Sequence, residues 1–177
     1  MPIANRIRLR ALEESDADAV WRWHKDFEMS LLDGWRYPSS LAQTAEWLKG
    51  VLRPEFENCF LAVEDETGEL IGCVSLKRAS AENREANFGI GLRRQSWKQG
   101  YGTAATLATL DHAFQQMNLH RVQLTVLDYN ARASRAYLKA GFREEGRLRQ
   151  SRFHAGHWCD EILMGILADE WRSIGRT

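Results

Sequence analysis

Two glycines, Gly100 and Gly102, lie in a short loop between two apolar segments of different period. The segment before them, at 86–92, is a short apolar run typical of a strand, and the one after them has apolar residues at helical spacing. A strand, a glycine loop and a helix start in this order can bind a phosphate. Glycine lets a ligand approach the backbone, and the first N–H groups of a helix have no partner inside it. The loop therefore predicts an anion site.

Other interpretations of this loop remain open. An isolated Gly-x-Gly pair is equally consistent with a tight turn from strand to helix. The run 100–105 also fits the Gly-x-Gly-x-x-Gly/Ala fingerprint of dinucleotide-binding domains, with Asp128 ending the next strand. A Rossmann domain, however, needs several parallel βα units, and Asp128 comes later than the usual ~20 residues. A P-loop is excluded because no Gly-Lys-Ser/Thr follows.

A second informative segment begins about thirty residues later and reads Asn130-Ala-Arg-Ala-Ser-Arg-Ala-Tyr-Leu-Lys-Ala-Gly-Phe142. In this order and context, the two segments resemble the GNAT superfamily of acyl-CoA-dependent N-acetyltransferases. The C-terminal half also resembles polyamine acetyltransferases, in Glu145-Gly-Arg-Leu and in Asp160-Glu161-Ile. Among branches of the family, the resemblance is to the ribosomal-protein N-terminal and spermidine acetyltransferases.

The resemblance implies acetyl-CoA as the acyl donor, with direct attack by an amine and no metal. Loop backbone N–H groups would hold the pyrophosphate, and the preceding strand would hydrogen-bond the pantetheine amides. The family pattern begins with Gln or Arg where this chain has Trp97, a departure of little weight because backbone groups do most of the holding. The implied cofactor-binding residues are Ile90, Gly91, Leu92, Trp97, Lys98, Gln99, Gly100, Tyr101, Gly102, Thr103, Asn130 and Ser134.

Tyr137 and Asn130 are the candidate catalytic residues. Acyl transfer to an amine needs a proton for the departing thiolate, and tyrosine, with an unperturbed pKa near 10, stays protonated at neutral pH. The two residues are seven positions apart, which places them on one side of a helix. In relatives the matching tyrosine is the acid, and the matching asparagine holds the cofactor near its sulfur. Taken alone, Tyr137 fits a core position; Asn130 before it and Gly141-Phe142 after it favour catalysis.

The general base is not evident from the sequence. Many relatives have a glutamate where this chain has Asn87, and asparagine cannot take a proton from an ammonium group. Water, a water held by Asn87, or a carboxylate of Glu28, Asp33 or Glu85 are the alternatives. Neutralising a lysine-like amine, with a pKa near 10.4, costs about 3.5 kcal/mol more than neutralising an α-amine with a pKa near 7.7–8.0. Without a strong base, the site is expected to favour peptide N-termini or amino sugars over polyamines.

The resemblance places the acceptor amine against the N-terminal helices and their loop. The candidates there are Glu28, Asp33, Trp35 and Tyr37, with Asn87 on the strand. Because Arg22, Lys25 and Arg36 stand beside these acids, no clear acidic pocket for a polycation is predicted. The competing class of function is a GNAT-like domain that binds acyl-CoA without turnover, as a sensor or interaction module.

The elements that must position these residues alternate along the whole chain. The predicted order is a strand, two helices, three strands, a helix, a strand, a helix and two strands. This order predicts one α+β domain over residues 1–177, with a mixed, mostly antiparallel sheet flanked by helices. One βαβ crossover joins the strand at 86–92 to the strand at 121–127 and carries the glycine loop. The last hairpin has an exposed edge that could pair two subunits as a homodimer.

Asp16 can cap the first helix, whose apolar side has Ala19, Val20 and Trp23, with Phe27 as a candidate. Ser40 with Gln43 predicts a capping box for the second helix, which bears Leu41, Ala45, Leu48 and Leu52. Thr67-Gly68 predicts a hairpin turn, and Gly141 is expected to end the helix that begins at Ala131.

Bulk composition narrows the function further. The 177 residues are 44% hydrophobic and 27% charged, as in ordinary globular proteins, and the formal net charge is zero. Zero net charge argues against nucleic acid or membrane as partner, since such binding rests on a basic excess. No apolar run approaches the roughly 20 residues that span a bilayer. Cys59, Cys73 and Cys159 are widely spaced in apolar runs, which predicts reduced thiols and a cytoplasmic protein.

Overall fold

A computed structural model describes residues 6–32, 37–53, 58–80, 82–154 and 156–174. The described strands are β1 (Ile7–Ala11), β2 (Cys59–Asp65), β3 (Leu70–Ser80), β4 (Glu85–Leu92), β5 (Arg121–Leu127), β6 (Arg143–His154) and β7 (His157–Leu167). The described helices are α1 (Ala17–His24), α2 (Phe27–Leu32), α3 (Leu41–Val51), α4 (Tyr101–Asp111), α5 (Ala131–Ala140) and α6 (Ala168–Ser173). A π-helical turn over His112–Gln116 continues α4.

The seven described strands form one sheet in the order β1-β2-β3-β4-β5-β7-β6. Every neighbouring pair is antiparallel except β4 and β5, which α4 connects as a βαβ crossover. The predicted α+β architecture, with a mixed and mostly antiparallel sheet, is therefore confirmed. A Rossmann domain needs several parallel βα units. The described strands contain one such unit, so that alternative is excluded. β6 lies at the sheet edge, as expected for the last hairpin.

The parallel pairing of β4 with β5 is short. It covers only 85–87 against 121–123, although β4 pairs with β3 as far as Leu92 and β5 pairs with β7 as far as Leu127. From Phe88 and Leu124 onward the two strands separate while each keeps its other neighbour. The centre of the sheet therefore contains a wedge-shaped gap that is closed at Asn87 and Gln123.

Two apolar clusters hold helices on the two faces of the sheet. Successive residues of a strand point to opposite faces, and on β2 Val63 belongs to one cluster and Ala62 to the other. The larger cluster packs α4 and α5 on β3, β4, β5 and β7, whereas the smaller one packs α1 and α3 on β2. Tyr137, Phe88 and Phe142 pack together in the larger cluster, with ring centroids 5.9 to 6.3 Å apart.

Several local predictions are confirmed. Ser40 and Gln43 form the expected capping box at the start of α3, and Gly141 ends α5 with a φ of +104°. Gly68, with a φ of +82°, lies in the turn between β2 and β3. In the described part of the chain, every helix is too short or too polar to span a membrane.

The structure differs from the expected first helix, which Asp16 would cap and which would have Phe27 as a candidate for its apolar side. The helix ends after His24, and α2 starts anew because the Asp26 carboxylate accepts a hydrogen bond from the Met29 N–H at 3.1 Å. Phe27 is consequently 67% exposed and not on the buried side. The Asp16 side chain makes no capping bond to α1. In addition, Leu41, predicted on the apolar side of α3, is 40% exposed, and α6 was not predicted.

Arg10 explains where the Asp16 side chain goes. Its guanidinium donates to both Asp16 oxygens at 2.8 Å and, through Nε, to Glu64 at 2.6 Å, which ties β1 to β2 and to the turn before α1. The Asp16 and Glu64 side chains are only 10% and 11% exposed. The bond from Arg10 lowers the pKa of Glu64. Burial alone raises the pKa of Asp16, but bonds from Arg10 and the Glu13 N–H lower it overall.

We predict that Arg10→Met lowers the free energy of unfolding by about 3 kcal/mol at pH 7, because it leaves two buried carboxylates without their main partner. Both carboxyl pKa values are lowered in the folded state, so this stabilisation exists above the unfolded pKa values near 4 and is lost as pH falls through the folded ones. Urea denaturation at pH 7 and pH 3 should therefore show a smaller difference at pH 3.

Arg8→Met is the matched control. Arg8 also donates to Glu64, but its side chain is 72% exposed, so we expect a loss below about 1 kcal/mol. Equal effects of the two substitutions would mean that the buried cluster around Arg10 contributes little.

Candidate functional site

The gap between β4 and β5 opens into a cavity of about 350 Å³. Its walls come from the end of β4, the glycine loop, the start of α4, the end of β5, α5 and two residues of α2. The predicted site residues that line it are Ile90, Leu92, Trp97, Lys98, Gly100, Gly102, Thr103, Asn130 and Tyr137. Nine of the predicted site residues therefore share one cavity, whose walls come from six elements of the chain.

The glycine loop presents bare backbone to this cavity. Gly100 is the N-cap of α4 with a φ of +91°, a conformation that favours glycine, and it has no side chain to bond the first N–H groups of the helix. A Cβ on Gly102 would meet only the Leu92 Cδ1, at 3.7 Å. The first turn of α4 can therefore offer N–H donors to a ligand in the cavity.

Basic side chains surround the same opening. Lys98 from the loop and Arg132, Arg135 and Lys139 from α5 line the cavity. Combined with the helix N-terminus, they make the site attractive to an anion with more than one phosphate. Arg93 and Arg94, which follow β4, do not line the cavity: Arg93 pairs with Glu69, and Arg94 pairs with Asp26 and Glu28.

Trp97 connects the loop to α5. Its indole N–H donates to the Leu92 carbonyl at 2.7 Å, and the Arg132 guanidinium lies 3.4 Å from its ring centroid, a cation–π contact. The position at which the family pattern has Gln or Arg therefore carries an aromatic platform that holds an arginine at the cavity.

Four predicted cofactor residues do not line the cavity: Gly91, Gln99, Tyr101 and Ser134. Tyr101 is 7% exposed and faces the other way, donating through its hydroxyl to Glu66 at 2.9 Å. This bond is the main cause that raises the pKa of Tyr101. Arg6 stacks on the Tyr101 ring at 4.7 Å and donates to the Gln99 carbonyl at 2.8 Å. Arg6, Glu66 and Tyr101 therefore hold the glycine loop on the side away from the cavity.

Tyr137 and Asn130 lie on opposite ends of α5 and both line the cavity. Asn130 is the N-cap, and its Oδ1 accepts from the Ala133 N–H at 3.2 Å. Tyr137 is 8% exposed, and Phe88 and Phe142 hold its ring at its edges. A tyrosine in this position can donate a proton inside the cavity.

Asn87 lies on the face of the sheet opposite to α4. Its neighbours Ala86 and Phe88 are buried in the larger cluster, so the alternation of the strand turns Asn87 away from it. The Oδ1 of Asn87 accepts from Gln123 Nε2 at 3.1 Å, across the last pair of the β4–β5 ladder. Asn87 is thus at the closed end of the gap and not in the cavity wall.

The other predicted acceptor residues are not assembled into one pocket. Glu28 is exposed and paired with Arg94, and Tyr37 is 81% exposed. Asp33 and Trp35 lie outside the described residues. Asp26, the second partner of Arg94, has a lowered pKa because Arg94 donates to it.

Arg121, Gln123 and Glu145 form a polar group that the sequence patterns did not indicate. Strand alternation puts Gln123 on the same face as Asn87, but the partner of Arg121 depends on an irregularity of β6 between Glu144 and Gly146, which sequence periodicity does not show. Among the described residues, no cluster of three or more His, Cys, Asp or Glu could hold a metal ion.

Comparison with known proteins gives consistent matches. The family model of the acetyltransferase (GNAT) domain matches residues 6–143. The spermidine N(1)-acetyltransferase of Escherichia coli K12 is 27% identical over 179 residues, covering 100% of this chain and 94% of the relative. A putative ribosomal N-acetyltransferase of Bacillus subtilis is 23% identical over 175 residues, covering 96% of this chain and 95% of that protein.

A solved structure has the same fold. The crystal structure of spermidine N-acetyltransferase from Vibrio cholerae in complex with CoA and spermine superposes with a TM-score of 0.87 and 27% identity, covering 95% of this chain and 99% of that one. The fold and sequence matches thus extend over nearly all of both proteins.

Proposed function

Because the chain belongs to the GNAT acetyltransferase family and is an N-acetyltransferase, we propose that it uses acetyl-CoA to acetylate a low-pKa primary amine, a peptide N-terminus or an amino sugar, in preference to a polyamine. The observation that supports acetyl-CoA as the acyl donor is the start of α4, which no side chain caps and which lies at the gap between β4 and β5. The competing idea of a domain that binds acyl-CoA without turnover has no support in the comparisons.

The cavity residues fit acetyl-CoA. The bare backbone at Gly102 leaves room for a phosphate beside the first N–H groups of α4, with Lys98 and Arg132 supplying positive charge. Beyond Asn87, no described strand pairs with this edge of β4, which offers N–H and C=O groups to the amides of a pantetheine arm. We therefore assign the donor to the cavity between the separated strands.

Acetyl-CoA supplies an acetyl thioester, which a neutral amine attacks with departure of a thiolate. We propose that the Tyr137 hydroxyl donates the proton that this thiolate needs. Phe88 and Phe142 restrain the ring, which reduces the entropy lost on reaching a productive geometry. Asn130 keeps the start of α5 in place through its cap, and its amide N–H₂ group can bind acetyl-CoA there, about two helical turns before Tyr137.

Two features of the acceptor side argue for an amine that is already partly neutral at pH 7. Asn87 cannot remove a proton from an ammonium group, and Asp26 and Glu28 are already paired with Arg94. The relatives named for spermidine share 27–28% identity with this chain, a level at which the fold is retained and acceptor contacts can differ. We accordingly place peptide and sugar amines before polyamines.

The first prediction for this function concerns Gly102. Gly102→Val should weaken acetyl-CoA binding by about 2 kcal/mol or more, roughly 30-fold, because the added side chain occupies the space in which phosphate would reach charge-assisted N–H donors. Isothermal titration calorimetry measures this. Gly50→Val is the control, since a Cβ there meets nothing within 4 Å on α3. A folded Gly102→Val protein with unchanged affinity would refute the assignment.

The second prediction concerns Tyr137. Tyr137→Phe keeps the ring and removes the proton, so acetyl-CoA affinity should persist while kcat falls by roughly 10²–10⁴. Thiol release measures kcat. Tyr129→Phe removes a hydroxyl from a ring that stacks on His154 outside the cavity wall, and it should leave kcat unchanged. Full turnover of Tyr137→Phe would mean that water protonates the thiolate.

The third prediction concerns the acceptor. At pH 7, peptide N-termini or amino sugars should be acetylated faster than spermidine, and kcat/KM should rise with pH through the pKa of the acceptor amine. A panel of peptides, amino sugars and polyamines with acetyl-CoA measures this directly. Spermidine as the best substrate, with a rate that is flat from pH 7 to 9, would show that a carboxylate acts as base despite Asn87.

A further inference from the structure

Four polar side chains form a continuous hydrogen-bonded chain across β6, β5 and β4 at the closed end of the gap. Glu145 accepts two bonds from the Arg121 guanidinium, one of them at 2.7 Å. Arg121 also donates to Gln123 Oε1 at 3.2 Å, and Gln123 Nε2 donates to Asn87 Oδ1 at 3.1 Å. The site described above does not account for this network.

The network fixes which way each amide points. A guanidinium can only donate, so Gln123 must turn its carbonyl oxygen to Arg121 and its N–H₂ to Asn87. Asn87 must then turn its oxygen to Gln123, which leaves its own N–H₂ group facing elsewhere. Glu145 accepts two bonds from Arg121, and Arg121 keeps the pKa of Glu145 below its usual value. Glu145, the first member of the network, therefore stays ionised.

The N–H₂ group of Asn87 has no hydrogen-bond partner within the described part of the chain. Next along the same face of β4 is Gly89, which has no side chain; the Ser75 Oγ of β3 lies 2.8 Å from the position that a Cβ would take there. On β5, Thr125 is two residues beyond Gln123 on that face and lines the cavity. The Asn87 N–H₂ group therefore lies at the edge of the gap, where an amine substrate could approach the cavity from the face of the sheet opposite to α4.

We propose that Asn87 recognises the acceptor, donating a hydrogen bond to a carbonyl oxygen next to the reacting amine, with Gln123, Arg121 and Glu145 as positioning residues. This rests on the proposed function and narrows its substrate class to peptide N-termini. The α-amine of a peptide has a carbonyl oxygen two bonds from its Cα, whereas a polyamine has only donors when protonated. An N–H₂ group at this point binds the first and repels the second.

A substrate pair tests the inference. One substrate is a short peptide with an N-terminal alanine, and the other is its trans-alkene isostere, in which a carbon–carbon double bond replaces the first peptide bond and removes the carbonyl. The measured quantity is the carbonyl preference, the ratio of kcat/KM for the peptide to that for the isostere. The amine pKa differs between the two substrates, so both rates are measured at a pH above both pKa values, where the amines are neutral and a carboxylate introduced by substitution cannot change the ratio by acting as a base.

Asn87→Asp removes the donor while keeping the shape, and should lower the carbonyl preference about 10-fold, the usual effect of one hydrogen bond. Gln123→Glu should lower it similarly without altering Asn87, because the introduced carboxylate accepts from the Asn87 N–H₂ and turns its amide around. Gln116→Glu makes the same change of charge at an exposed position after α4 and should leave the preference unchanged.

Each outcome decides between the possibilities. An unchanged preference in both Asn87→Asp and Gln123→Glu would overturn the inference and make the network purely structural. Circular dichroism and acetyl-CoA affinity verify folding, and Asn87→Ser, which is too short to keep the contact, replaces Asn87→Asp if the latter does not fold. If the wild type acetylates neither substrate but acetylates spermidine, the proposed function itself fails. If it acetylates both and no variant changes the preference, only the inference fails.

Discussion

The limited pairing of β4 with β5 is the constraint on which the rest of the site depends. Parallel strands joined by a helix normally pair along their length, whereas these two pair only at 85–87 and 121–123. Each strand keeps a complete antiparallel neighbour, so the sheet tolerates the gap without losing its other ladders. The gap gives a ligand an edge of β4 with which no described strand pairs, and it places the N-terminus of α4 beside that edge. The polar network, the glycine loop and Tyr137 are all arranged around it.

Contacts on the far side of the glycine loop hold it at this gap. Arg6, Glu66 and Tyr101 tie its outer side to β1 and to the β2–β3 turn, while Trp97 bonds β4 and stacks with Arg132 of α5. A flexible glycine loop loses conformational entropy when it binds a ligand. These contacts reduce that loss because they order the loop before the ligand binds. Where the family pattern has a polar Gln or Arg, this chain therefore has Trp97, whose ring contacts Arg132 of α5.

The sequence predicted the parts of the molecule that local patterns control. The alternating run at 121–127 predicted both ends of β5. Gly141 predicted the C-terminal end of α5, and the Ser40–Gln43 capping box predicted the start of α3. Outcomes that depend on tertiary partners were missed or wrong. Asp26 starts a new helix and pairs with Arg94, 68 residues away, and Tyr101 turns out of the cavity because Arg6 and Glu66 lie behind it. The face of Asn87 opposite to Phe88 follows from strand alternation, a local rule that was not applied to the sequence.

The central claim is that the separated edge of β4 and the start of α4 form one donor-binding surface. Amide hydrogen exchange followed residue by residue by NMR, with and without coenzyme A, tests this most directly. We expect coenzyme A to slow exchange at 88–92 on β4 and at Gly102 and Thr103 on α4, while the edge strand β6 is unaffected. Bound coenzyme A that protects a different surface and leaves these amides unchanged would contradict this expectation.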